Sequence, residues 1–132
     1  MTKKAFIIGA NVSELAYNDH DIRLISEAFR QHDFEIIHPK GKKFDILEAL
    51  ENVINRCKPM DSFVFYYTGY GTVVREKLFL EYHDETSFNI KAIINLVQRC
   101  AATHKLMILD ICNSKVGSID WLPPLEDANF GL

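Results

Sequence analysis

The sequence predicts an α/β fold: an open, mainly parallel sheet with helices on both faces and a small hairpin after the third strand. Three observations predict it. Short apolar runs of strand character alternate with longer stretches of helical periodicity. The strand-like runs are continuously apolar, as strands covered on both faces are, instead of alternating apolar with polar. The chain has 132 residues, 48% of them hydrophobic, which suits one domain burying roughly 70% of its unfolded surface. No internal repeat or low-complexity tract interrupts it.

Each element has a local reason. Lys4-Ala-Phe-Ile-Ile-Gly9 is a compact apolar run ended by glycine and is read as the first strand. Asn18 and Asp19 can cap a helix through His32, with Ile22, Ile25 and Phe29 on one stripe beside Leu24 and Ala28. Phe34 to His38 is the second strand, stopped by Pro39, which lacks a ladder donor and pushes its predecessor toward extended geometry. From Phe44 to Cys57 the apolar positions Ile46, Leu47, Leu50, Val53, Ile54 and Cys57 recur at helical spacing, the clearest amphipathic helix in the chain.

Ser62 to Thr68 is rich in β-formers and is read as a central strand leading into a tight loop, Gly69-Tyr70-Gly71. Val73-Val74 and Leu78-Phe79-Leu80 flank a polar turn at Arg75-Glu76-Lys77 and are read as the small hairpin. A third helix starts at Ser87 or Asn89 and runs to about Cys100, with Ile90, Ile93, Ile94 and Val97 inward. Lys105 to Ile111 is the fourth strand of the parallel set, followed directly by Cys112. Right-handed crossovers then place helices on both faces. Ligands of such sheets bind beyond the strand carboxyl ends, which puts Gly9 to Asn18, Gly69 to Thr72 and Cys112 to Lys115 on one functional rim.

Composition narrows the function. With 15 Lys and Arg against 18 Asp and Glu, the formal charge of −3 offers no basic footprint for nucleic acid or anionic lipid. No apolar run is long enough for a membrane span and no signal region follows Met1-Thr2-Lys3-Lys4, so a cytoplasmic protein is expected. The three cysteines, Cys57, Cys100 and Cys112, contain no CxxC pair, so neither a disulfide framework nor a zinc knuckle is expected. No cofactor or metal is expected: glycine-rich dinucleotide, Walker A, GxSxG and HExxH patterns are absent, and the five histidines have no ligand spacing.

What remains on the rim is Tyr66-Tyr-Thr-Gly-Tyr-Gly71 and Leu109-Asp-Ile-Cys-Asn-Ser114. This pair resembles the two catalytic segments of the caspase-like cysteine peptidases (caspases, metacaspases and orthocaspases). There an FYFSGHG-type loop brings a histidine and a DACHSG-type segment brings the nucleophilic cysteine. The resemblance extends from residue 4 to about 114, including the strand and helix order, and implies the caspase–hemoglobinase type of sheet.

Carried over by position, the resemblance puts Cys112 at the nucleophile and gives Gly71 the backbone N–H that stabilises the tetrahedral oxyanion. Tyr70 stands at the position of the general-base histidine. A thiol titrating near ~8.5 is only a few per cent ionised at neutral pH and needs a base or cation beside it. A phenol titrating near ~10 supplies neither. Asp110, two residues before Cys112, matches the acid that in metacaspases and orthocaspases lines a pocket for a basic P1 side chain. Asp21 matches the second pocket acid, with Asp19 as the alternative. Helix capping and an ordinary strand-end acid are the plain alternatives for these carboxylates. His83 is a further candidate base, and Asn113-Ser-Lys115 departs from the usual HSG.

Residues 115–132 are expected to be a tail or the start of a second segment, since the family sheet continues past its fourth strand. Pro123 and Pro124 make Ile119 to Leu125 a poor central strand, which would leave Leu106 to Ile111 as an apolar edge open to a partner strand. The sequence thus favours a single caspase-like domain acting as a pseudo-peptidase with a protein or peptide partner. The rival is an active cysteine endopeptidase cutting after Arg or Lys with Cys112 as nucleophile.

Overall fold

A computed structural model describes residues 1–9, 18–83 and 86–113. Their elements are β1 (Lys3–Gly9), α1 (Asn18–Gln31), β2 (Glu35–Ile37), α2 (Lys43–Arg56), β3 (Ser62–Val74), β4 (Lys77–His83), β5 (Thr86–Asn89), α3 (Ile90–Gln98) and β6 (His104–Asn113). They form one six-stranded sheet ordered β2-β1-β3-β4-β5, with β6 also paired to β3. The β2–β1, β1–β3 and β3–β6 pairs are parallel, and β3–β4 and β4–β5 are antiparallel.

Alternation along β1 and β3 divides the core between the two faces. Ala5, Ile7, Val64 and Tyr66 point to α1, where they meet Ile22, Ile25 and Phe29. Phe6, Ile8, Phe63, Phe65 and Tyr67 point to the other face and meet Ile46, Leu50 and Ile54 of α2 and Ile93, Ile94 and Val97 of α3. Helices on both faces are therefore found as expected, and the continuous apolar strands are explained by burial from both sides. The α1 stripe is narrower than its sequence suggests. Leu24 is 58% exposed and Ala28 is exposed, whereas Ser26 is buried. At 100° per residue, Leu24 and Ala28 stand about 200° and 240° round from Ile22, on the solvent side.

Around the rim, several boundaries can be set against the sequence reading. Gly69-Tyr70-Gly71 is not a loop: β3 runs through it to Val74, because β6 pairs along it on one side and β4 takes over on the other. Gly69 takes a φ of 154°, a conformation that glycine reaches without the steric cost other residues meet, so the strand can turn there without ending. Of the two starts offered for the third helix, Asn89 is the one found: it caps α3, its side-chain oxygen accepting from the Lys91 N–H at 2.9 Å, whereas Ser87 belongs to the short strand β5. β6 extends two residues past Ile111, so Cys112 lies within the strand. The hairpin forms as expected, its two loop residues Arg75 and Glu76 at φ 52° and 67°, the sign a tight turn between twisted strands requires.

At the opposite rim Asp61 fastens the start of β1 to the loop before β3. Its buried carboxylate accepts from the Thr2 N–H at 2.9 Å and the Lys58 N–H at 2.8 Å. The Lys58 bond, then the Thr2 bond, hold its carboxyl down at about 2, below its ordinary 3.8. A depressed carboxyl stabilises the fold above its unfolded value, and that contribution fades as pH falls from about 3.8 toward about 2. Asp61→Asn is accordingly expected to unfold more easily in urea at neutral pH. The gap to wild type should close between pH 4 and pH 2. A gap independent of pH across that range would contradict the assignment.

Candidate active site

The rim at the carboxyl ends of β1, β3 and β6 is shaped by where each ladder stops. β1 pairs with β3 as far as Gly9↔Thr68, and β4 joins the same side of β3 only at Gly71↔Leu80. Gly69 and Tyr70 thus fall between two ladders on that side, while on the other side β6 continues through Tyr70↔Cys112 to Gly71↔Asn113. The positions of Tyr70 and Cys112 are direct register partners on adjacent parallel strands. The side chains of Cys112, His83 and Asp19 lie outside the described residues, as do residues 10–17, Asp84, Glu85 and 114–132.

Two neighbouring tyrosines with opposite orientations build the surroundings. Tyr67 faces the α2–α3 side and is fully buried. Its hydroxyl lies 2.7 Å from the Tyr70 carbonyl and 2.5 Å from the Glu81 carbonyl, so one phenol proton serves two acceptors and ties the Tyr70 backbone to β4. Gly71 is wedged between the flanking strands. A Cβ placed there would lie 2.8 Å from Ile111 Cγ2 and 3.1 Å from Leu78 Cδ1, so any side chain would require the Ile111 side chain to shift. Tyr70 itself is half-buried at this corner.

On the α1 face the Tyr66 hydroxyl donates to Asp110 Oδ2 at 3.2 Å. Desolvation pushes the Tyr66 phenol up to about 12, and the negative charges of Asp110 and, more weakly, Asp21 add to the rise. The phenol therefore stays a neutral donor throughout the physiological range. Asp21, half-buried on α1, and exposed Asp110 on β6 thus act on the same hydroxyl. Two carboxylates around one rim can attract a basic side chain by charge-assisted pairing. Sequence reasoning singled out Asp21 and Asp110 but missed Tyr66 and Tyr67. Strand alternation was the available signal: it sends residue 66 toward α1 with its acids and residue 67 toward the interior beneath Tyr70.

Among the described residues no helix is long and apolar enough to cross a membrane. A family model described as the caspase domain, of the peptidase C14 type, matches residues 2–128. No curated protein matches the chain. The match spans nearly the whole chain, and the parallel core flanked by helices with an antiparallel hairpin beyond β3 agrees with it. The chain belongs to the caspase-domain family.

Proposed function

We propose that this caspase-domain chain is a pseudo-peptidase, retaining the nucleophile position at Cys112 and carrying Tyr70 in place of the general-base histidine. The observation that supports this reading is the Tyr70↔Cys112 register pair: the residue set beside the cysteine position is a phenol. General acid–base transfer contributes ~10²–10⁴-fold to such reactions, and a nucleophile stripped of its base commonly loses more. In this reading Gly71 keeps the oxyanion N–H position, and Asp21 and Asp110 offer a pocket for an Arg or Lys side chain. The domain then works by binding a protein or peptide, in the cytoplasm, without nucleic acid, membrane or cofactor.

The proposed partner adds an extended segment to β6. Among the described residues β6 pairs only with β3, and Leu106 on it is 40% exposed. A strand edge with free N–H and C=O groups takes a partner backbone by continuing the ladder. The second reading, an active endopeptidase cutting after Arg or Lys, is favoured by the two acids that converge on Tyr66.

Thiol reactivity separates the readings. Iodoacetamide labelling of Cys112, followed by peptide mass, is expected to track an ordinary thiol titrating near ~8.5 and to be slow at pH 6.5. Labelling at pH 6.5 at least about tenfold faster than a model thiol would favour the peptidase. Peptide mass separates Cys112 from the two buried thiols, Cys57 and Cys100.

A further inference from the structure

Two thiols that take no part in the proposed site lie toward the opposite rim of the sheet. Cys57 follows α2 and Cys100 follows α3, and both are buried in the same apolar cluster. The loops that lead from these helices into β3 and β6 run side by side. Ser62 and His104 are register partners, the Thr103 N–H donates to the Pro59 carbonyl at 3.0 Å, and the Thr103 hydroxyl donates to the same oxygen. Lys105 Nζ fixes the Cys100 end by donating to the Gln98 and Cys100 carbonyls, each at 2.9 Å. Cys100 stands near enough to Cys57 to help raise its thiol.

We propose that Cys57 and Cys100 form a reversible intramolecular disulfide when the protein meets a hydroperoxide, stapling the C-terminal ends of α2 and α3. Local opening admits the oxidant, since Lys58, Pro59 and Met60 on one loop and Arg99 and Ala101 on the other are exposed. The Cys100 sulfur attacks the hydroperoxide, the O–O bond breaks, and an alcohol (water, from hydrogen peroxide) leaves a sulfenic acid. The Cys57 sulfur then attacks that sulfur, and the sulfenic oxygen departs as water with the Cys57 proton. In sum two thiols and one hydroperoxide give one disulfide, one alcohol and one water. Burial, then the neighbouring Cys100 sulfur, pushes the Cys57 thiol up, and the same balance holds whichever of the two sulfurs reacts first. Disulfides of this transient kind are the sort found in reducing compartments.

The test oxidises the full chain with a small excess of hydrogen peroxide, with and without urea, and maps disulfides by non-reducing peptide mass. In the folded protein the Cys57–Cys100 link is expected to exceed links to Cys112 by about tenfold or more, because the fold holds the pair together. In urea the three pairings should become comparable. The oxidised folded protein should melt on the order of 10 °C higher, and dithiothreitol should reverse the rise. Pairings in the folded protein at the urea ratio would overturn the proposal. So would Cys57 and Cys100 remaining free thiols after Cys112 is oxidised. Neither result bears on peptidase activity, so the proposal stands or falls apart from the reading of Cys112.

Discussion

Tyr70→His is expected to cleave fluorogenic peptides with Arg or Lys at P1 about 10²–10⁴-fold faster than the wild type. The expectation rests on position. Residue 70 is the register partner of residue 112, with its carbonyl held by the Tyr67 hydroxyl and its strand continuing into Gly71. An imidazole placed there supplies the base that a phenol does not, since its ordinary titration near ~6.5 leaves it mostly neutral at pH 7 and able to take the thiol proton. The substitution removes a half-buried ring from a corner rather than from the core, so the fold should persist. Combining it with Cys112→Ala should abolish the gain. A well-folded Tyr70→His chain without cleavage would mean that more than the base is missing from the site.

Tyr67→Phe should destabilise the domain by about 2 kcal/mol in urea unfolding, with an unchanged slope. The ring is fully buried and phenylalanine keeps its packing, so the loss isolates the hydroxyl. One proton shared by the Tyr70 and Glu81 carbonyls disappears, leaving two part-buried acceptors without that donor. Unsatisfied buried polar groups cost ~1–3 kcal/mol each, and sharing one proton between two acceptors places the total near the middle of that range. A loss below about 0.5 kcal/mol would show that solvent reaches these carbonyls, and that the Tyr70 backbone is not held from beneath.

The legible parts of the fold were those written in periodicity. α2 and α3 sit on a sheet face, so Ile46, Leu50 and Ile54, and Ile93, Ile94 and Val97, recur at helical spacing and are buried as read. The continuation of β3 through Gly69 and Gly71 was hidden because two glycines in three residues read as a turn. Only the presence of β6 on one side and β4 on the other makes them strand. β5 was hidden for a related reason: four residues carry too little pattern, and their strand character comes from pairing with β4. At the site, the neighbourhood of Tyr70 and Cys112 was legible from two motifs at the ends of parallel strands. The bond from Tyr66 to Asp110 was not, because it depends on which face each strand turns toward α1.

Cleavage of an Arg- and Lys-P1 fluorogenic panel by the wild-type chain, set beside Cys112→Ala under the same conditions, tests the pseudo-peptidase most directly. Equal, background-level rates for the two proteins are the expected result, because nothing at position 70 activates the thiol. Wild-type cleavage that disappears in Cys112→Ala would contradict it and establish an enzyme whose base is a group other than residue 70.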